Sequence, residues 1–140
     1  MWIRMNKVLK TTIAAAMVML LLPSPVVFGN SDPDGQGALD AGRAAYQAKD
    51  YVTAMKSFRE AASHNHNEAQ WLLGYSYQFG RGLLMDEVTA YMWYSIAAAN
   101  GHASALGWRG YLGRLLPQDS VITAQQRAQR CIASEYADCD

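Results

Sequence analysis

Charge of one sign is the first thing this sequence lacks. Its 12 basic residues are matched by 12 acidic ones, so the 140-residue chain is formally neutral. A surface for nucleic acid or for an anionic membrane needs a basic patch, and neither class of partner fits that balance. Long apolar runs are also missing. The one marked run, Ile13 to Leu22, falls short of the roughly 20 residues a membrane-spanning helix needs. Arg4, Lys7 and Lys10 precede it, Pro23 and Pro25 break it, and Val27-Phe28-Gly29 follows with small residues at cleavage spacing. That is the layout of a secretory signal peptide over residues 1–29, cut after Gly29. The alternative is an anchor left uncut. No Cys follows the run to take a lipid. Cleavage would remove three basic residues and no acidic one, leaving a mature chain of net charge −3 and no membrane span.

Cysteine is scarce as well. Only Cys131 and Cys139 occur, and export to an oxidising compartment makes a disulfide their default state. No stretch of useful length alternates at period two, so no sheet is expected. Nor is there a catalytic constellation. Ser57, Ser76 and Ser95 lie inside helical patterns with no nucleophile motif around them. His64-Asn65-His66 offers two imidazoles, which are read as exposed loop residues rather than metal ligands. These absences predict a chain without enzyme activity, metal or cofactor.

What is present is a repeat. Val52-Thr53-Ala54 recurs as Val88-Thr89-Ala90, an offset of 36. The same offset pairs Phe58 with Tyr94, Ala61-Ala62 with Ala97-Ala98, His66 with His102, Ala69 with Ala105, Gly74 with Gly110 and Tyr75 with Tyr111. Before Tyr51 the match continues at an offset of 32, pairing Leu39 and Gly42 with Trp71 and Gly74. Within each unit the apolar residues recur at helical spacing, as Tyr51, Ala54, Met55, Phe58, Ala61 and Ala62 do. The pattern predicts six helices over residues 38–48, 51–63, 67–79, 86–99, 103–116 and 120–135, behind a flexible leader at 30–37. They pair into three helix-turn-helix hairpins: an all-α solenoid over residues 38–140. Asp50, Asp86 and Ser120 are the expected residues starting each second helix. Pro117 belongs to the third turn. Gly42, Gly74 and Gly110 sit mid-helix, where glycine costs about 1 kcal/mol relative to alanine. Three at equivalent positions imply a close neighbouring helix. Trp93 and Tyr94 widen the apolar face of the fourth helix.

Gly80-Arg81-Gly82 could be mistaken for a phosphate loop. Such a loop needs a strand before it and a helix after it, whereas here a helix comes first, so Gly80 and Gly82 form a hairpin turn.

The run Ala69-x-x-x-Leu73-Gly74-x-x-Tyr77-x-x-Gly80-x-Gly82, continued by Asp86-x-x-x-Ala90-x-x-Trp93-Tyr94-x-x-Ala97-Ala98-x-x-Gly101-His102, resembles the Sel-one-like repeat, a relative of the tetratricopeptide repeat. The first unit looks more like a plain tetratricopeptide hairpin. The third keeps Gly110 and Tyr111 but loses the Gly-x-Gly and the Trp-Tyr pair, as terminal caps do. The resemblance implies a stack of hairpins acting as an adaptor or scaffold in the bacterial envelope, periplasmic or secreted. It also leaves two other roles open. One is an immunity protein for a toxin delivered into the periplasm. The other is penicillin binding with weak β-lactam hydrolysis, a link known for cysteine-rich members of the family.

Cys131 and Cys139 are eight apart, as are Ala61 and Ala69, and Ala97 and Ala105. The alanines are read as small residues in contact across each inter-repeat corner, and a disulfide would hold the third corner shut. The same gap occurs in the cysteine-rich relatives. A metal site lacks further ligands nearby, and a redox pair lacks the Cys-x-x-Cys spacing.

For binding, the resource is aromatic. Trp71, Tyr75 and Trp108 lie on first helices of their hairpins, which line the concave face in tetratricopeptide-type stacks. These three, with Arg81, Arg109 and Arg114, are the candidate contacts for a partner protein or peptide.

Overall fold

The computed structural model describes residues 34–139. The segment read as a signal peptide, and the leader up to residue 33, lie outside it. Six helices follow in order: α1 (Gln36–Gln47), α2 (Tyr51–Ser63), α3 (Asn67–Phe79), α4 (Glu87–Ala99), α5 (Ala103–Leu115) and α6 (Gln118–Ala133). Among the described residues there is no strand. The chain is an all-α stack of helical hairpins.

Asp50 and Asp86 start α2 and α4 as side-chain caps. The Asp50 carboxylate accepts from the Thr53 N–H, and that of Asp86 from Val88 and Thr89. Ser120 does not do this for α6. Pro117 holds that N-terminus without a side-chain bond, and Ser120 lies inside the helix. Proline's fixed φ and missing N–H suit a helix start, so the chain turns there earlier than a serine cap would require. The leader also ends sooner than its composition implies. Gly35 is buried, with φ of 75°, and α1 begins at Gln36. A Cβ on Gly35 would stand 3.0 Å from Ala61 and from His64, so this glycine is packed against α2.

Burial alone would push the Asp86 carboxyl up, but the bonds from Thr89 and Val88, with Arg127 nearby, hold it below the usual carboxylate range. The cap therefore stabilises the fold above the ordinary carboxylate pKa, and that contribution is lost as pH falls through the lower folded value. Asp86→Ala should cost about 1–2 kcal/mol at neutral pH, and the gap to the parent protein should close in acid. Chemical denaturation at several pH values measures it.

The first two hairpins close by one device. Phe58 of α2 lies over Gly42 of α1, and Tyr94 of α4 lies over Gly74 of α3. A Cβ would come within 2.5 Å of the Phe58 ring and 2.7 Å of the Tyr94 ring. Both rings are fully buried, so neither can move aside. Each glycine's helix-propensity cost is the condition for the close approach.

The third pair departs from this. Gly110 was expected to be a packing glycine too, yet it is exposed, and the nearest atom to its Cβ position is the Arg114 guanidinium at 4.0 Å. The reason is where α6 goes. It packs along α4, burying Val121, Ala124, Ala128 and Cys131, and makes only marginal contact with α5. Arg127 donates to Thr89 Oγ1 at 3.4 Å, and Gln125 donates to the Tyr91 hydroxyl at 3.5 Å. Tyr91 also comes within 3.2 Å of the Cβ position of Gly113 on α5, so its ring stands between α5 and α6.

The inter-repeat corners repeat closely. His66 N–H donates to Ala61 O, His102 N–H to Ala97 O, and Tyr136 N–H to Cys131 O, at 3.3, 2.9 and 2.8 Å. Before each donor stands a left-handed residue: Asn65, Gly101 and Glu135 at φ of 62°, 91° and 53°. These bonds satisfy carbonyls that the helix ends leave open. Ala61, Ala69, Ala97 and Ala105 are fully buried there. At the third corner Cys131 and Cys139 form a disulfide with Cα atoms 4.4 Å apart.

Candidate functional site

Helical spacing aligns Trp71, Tyr75 and Phe79 on one face of α3, each one turn from the last. Their ring centroids are 5.7 and 4.6 Å apart in succession. From α5, Trp108 meets Phe79 edge-on at 6.0 Å and Tyr111 edge-on at 5.9 Å. Phe79 and Tyr111 are exposed, whereas Trp71, Tyr75 and Trp108 are half-buried. Behind Trp108 lies the buried Tyr94 ring, stacked at 6.2 Å. The result is a continuous aromatic ladder shared by two helices.

At one end of the ladder is a cleft of about 550 Å³, lined by Gln78, Phe79, Ser104, Gly107, Trp108 and Tyr111. No lining residue is charged. Its polar groups are the Ser104 and Tyr111 hydroxyls and the buried Gln78 amide, whose Oε1 accepts from the Tyr94 hydroxyl at 2.8 Å. Burial pushes the Tyr94 hydroxyl far up, with the nearby Tyr75 adding to it, so it remains a donor throughout the useful pH range. That fixes the amide's orientation and leaves Nε2 with no protein partner among the described residues. Perpendicular rings, a glycine that lets a backbone approach and an oriented amide make a slot for an apolar side chain flanked by a peptide carbonyl.

The sequence candidates divide on this frame. Trp108 lines the cleft. Tyr75 contributes to the ladder, and its hydroxyl lies near those of Tyr46 and Tyr94. Trp71 is more internal: its indole stacks on His102 at 5.2 Å, and its N–H is buried without a hydrogen-bond partner. Arg81 lies apart from the cleft, its guanidinium 5.7 Å from the Tyr51 ring centroid. Gly80 ends α3 in the left-handed conformation, and Gly82, at φ of 81°, abuts Tyr51 where a Cβ would meet backbone at 2.8 Å. Arg109 and Arg114 lie on α5 without lining the cleft, and neither makes an ion pair among the described residues. Trp93 and Tyr94 are core. Phe79 and Tyr111, which sequence reasoning left off the site, are its most accessible rings. Their positions one turn beyond Tyr75 and at the repeat equivalent of Tyr75 were the available signal.

A second group went unread: Tyr136, inside the disulfide loop. Its hydroxyl donates to Asn65 Oδ1 and accepts from Gln70 Nε2 at 3.0 Å and Asn100 Nδ2 at 3.3 Å. Asn100 also donates to Gln70 Oε1 at 2.8 Å, and Gln70 is fully buried. The disulfide thus holds one phenol where it joins two inter-repeat corners and α3.

Among the described residues, no three His, Cys, Asp or Glu side chains group closely enough to hold a metal ion. Ser76 and Ser95 each donate to a carbonyl one turn back, Leu72 O and Tyr91 O, both at 2.8 Å. No helix among the described residues is long and apolar enough to cross a membrane. Compared with protein-family models, curated proteins and solved structures, the chain has no significant match.

Proposed function

We propose that this chain is an exported, non-catalytic protein-interaction module of the bacterial envelope, built from Sel-one-like hairpins. In this reading it holds a partner segment on the aromatic face of α3 and α5. The observation that carries the reading is the uncharged cleft between Phe79, Trp108 and Tyr111, floored by the Gln78 amide. Clustered Trp and Tyr in a partly desolvated pocket are the groups that concentrate binding energy at protein interfaces. Arg109 and Arg114 on the same helix add a residue type enriched at interfaces. The Cys131–Cys139 disulfide suits the oxidising compartment that the N-terminal sequence pattern points to. Ser76 and Ser95 each bond to a backbone carbonyl one turn back, which favours the binding reading over β-lactam chemistry at these two serines.

Affinity capture from envelope extract tests the reading, using residues 30–140 with the disulfide intact. The control bait carries Phe79→Ala and Tyr111→Ala, which remove exposed rings and leave the fold's core alone. One dominant protein retained by the parent and lost by the control is expected. Equal recovery by both baits would move the interface elsewhere, and sustained β-lactam turnover by the same protein would replace the reading with a catalytic one.

A further inference from the structure

Hairpins one and two each close by setting a ring from the second helix onto a glycine of the first. The register of the third is fixed by Ala54, Ala90 and Ala124, and by Ala61, Ala97 and Cys131, all buried. In that register the position of Phe58 and Tyr94 falls on Ala128. The ring is missing, α6 lies along α4, and Gly110 faces solvent. Leu106, at the place of the fully buried Gln70, is 53% exposed. Arg114 stands at the place of the buried Gln78 and holds its guanidinium 4.0 Å from the bare glycine position. In the free chain Gly110 costs helix stability and receives no packing in return.

We propose that this face of α5 is the docking site for a helix of a partner protein, which supplies the ring that α6 lacks and so completes the third hairpin. The proposal goes beyond the cleft described above, whose lining includes neither Gly110 nor Arg114. Two features define the occupant. The first is a Phe or Tyr able to lie on Gly110 beside the Arg114 guanidinium, which favours an aromatic face. The second is acidic charge at the helix start. α5 carries Arg109 and Arg114 and no acidic residue, and neither arginine has an ion-pair partner among the described residues. In an antiparallel hairpin the partner's N-terminus meets the Arg114 end of α5. The chain's own second helices show the pattern: Asp50 is eight residues before Phe58, and Asp86 eight before Tyr94. A second copy docking through the same face would set arginine against arginine, which disfavours self-association here.

The test uses a helix-constrained synthetic peptide of residues 86–101, the helix that closes on Gly74, titrated against the oxidised 30–140 protein. Binding is expected to weaken about tenfold or more when the peptide carries Tyr94→Ala, and similarly when the protein carries Gly110→Leu. Gly110→Leu should not lower the melting temperature, since nothing covers the site. Arg114→Ala should weaken binding and reduce its salt dependence. Phe79→Ala and Tyr111→Ala should leave the peptide's affinity unchanged, which separates this proposal from the cleft. The proposal is overturned if the peptide fails to bind at millimolar concentration, or if it binds the Gly110→Leu protein as well as the parent. A concentration-dependent dimer abolished by Gly110→Leu would also overturn it, assigning the face to a second copy.

Discussion

Gly74→Ala should destabilise the protein by about 2–3 kcal/mol, while Gly110→Ala should stabilise it by about 0.5–1 kcal/mol. The two substitutions are chemically identical and occupy equivalent positions of the repeat, so the opposite signs isolate the environment. At Gly74 the new methyl would stand 2.7 Å from the Tyr94 ring. That ring is fully buried and tethered through its hydroxyl to Gln78, so the strain cannot be relieved by a small rotation. The helix-propensity gain of about 1 kcal/mol is already included and is outweighed. At Gly110 the methyl meets nothing closer than the mobile end of Arg114, and only the propensity gain remains. Gly42→Ala should follow Gly74→Ala, since Phe58 is closer still. Chemical denaturation of the three variants decides the matter, and a loss at Gly110 comparable to that at Gly74 would show the third hairpin closed in solution.

Reducing the Cys131–Cys139 disulfide, or replacing both cysteines with serine, should cost about 2–3 kcal/mol by loop closure. Tyr136→Phe should cost about 1–3 kcal/mol, because it leaves the buried Gln70 amide and the Asn65 carbonyl short of a partner. The two losses should not add. The disulfide holds the loop that delivers Tyr136 to Asn65, Gln70 and Asn100, so Tyr136→Phe should cost little once the disulfide is gone. A double-mutant cycle measures this coupling. Strict additivity would mean the clasp and the hydrogen-bond group act independently.

The helices were legible because each unit repeats its apolar spacing and two of the three starts carry Asp caps. The tight approach at Gly42 and Gly74 was legible for the same reason. The missing Trp-Tyr pair of the third unit was legible, but its consequence for Gly110 was not. Gly110 matches its equivalents in sequence, but a packing glycine needs its ring, and in α6 that position is Ala128. The loss lies on a different helix, and Tyr91, which stands between α5 and α6, belongs to the repeat before. Such long-range effects leave no local pattern. The leader's end was misplaced for a similar reason, because Gly35 is held by Ala61 and His64 rather than by its neighbours in sequence. In the candidate site Trp108 was legible as a large aromatic on a first helix. Phe79 and Tyr111 were overlooked because helical spacing aligns several rings without showing which of them stay exposed. Tyr136 was invisible because its three partners are 36 to 71 residues away.

The most direct measurement is site-specific photocrosslinking in the cells that make this protein, with a photoreactive phenylalanine at Tyr111 and, as the control, at Val52, exposed but outside the cleft. The account predicts one discrete crosslinked protein from Tyr111, diminished by Phe79→Ala, and none of that species from Val52. The same species from both positions, or none from Tyr111 while the protein is folded and oxidised, would contradict the claim that the α3–α5 cleft is where this protein binds its partner.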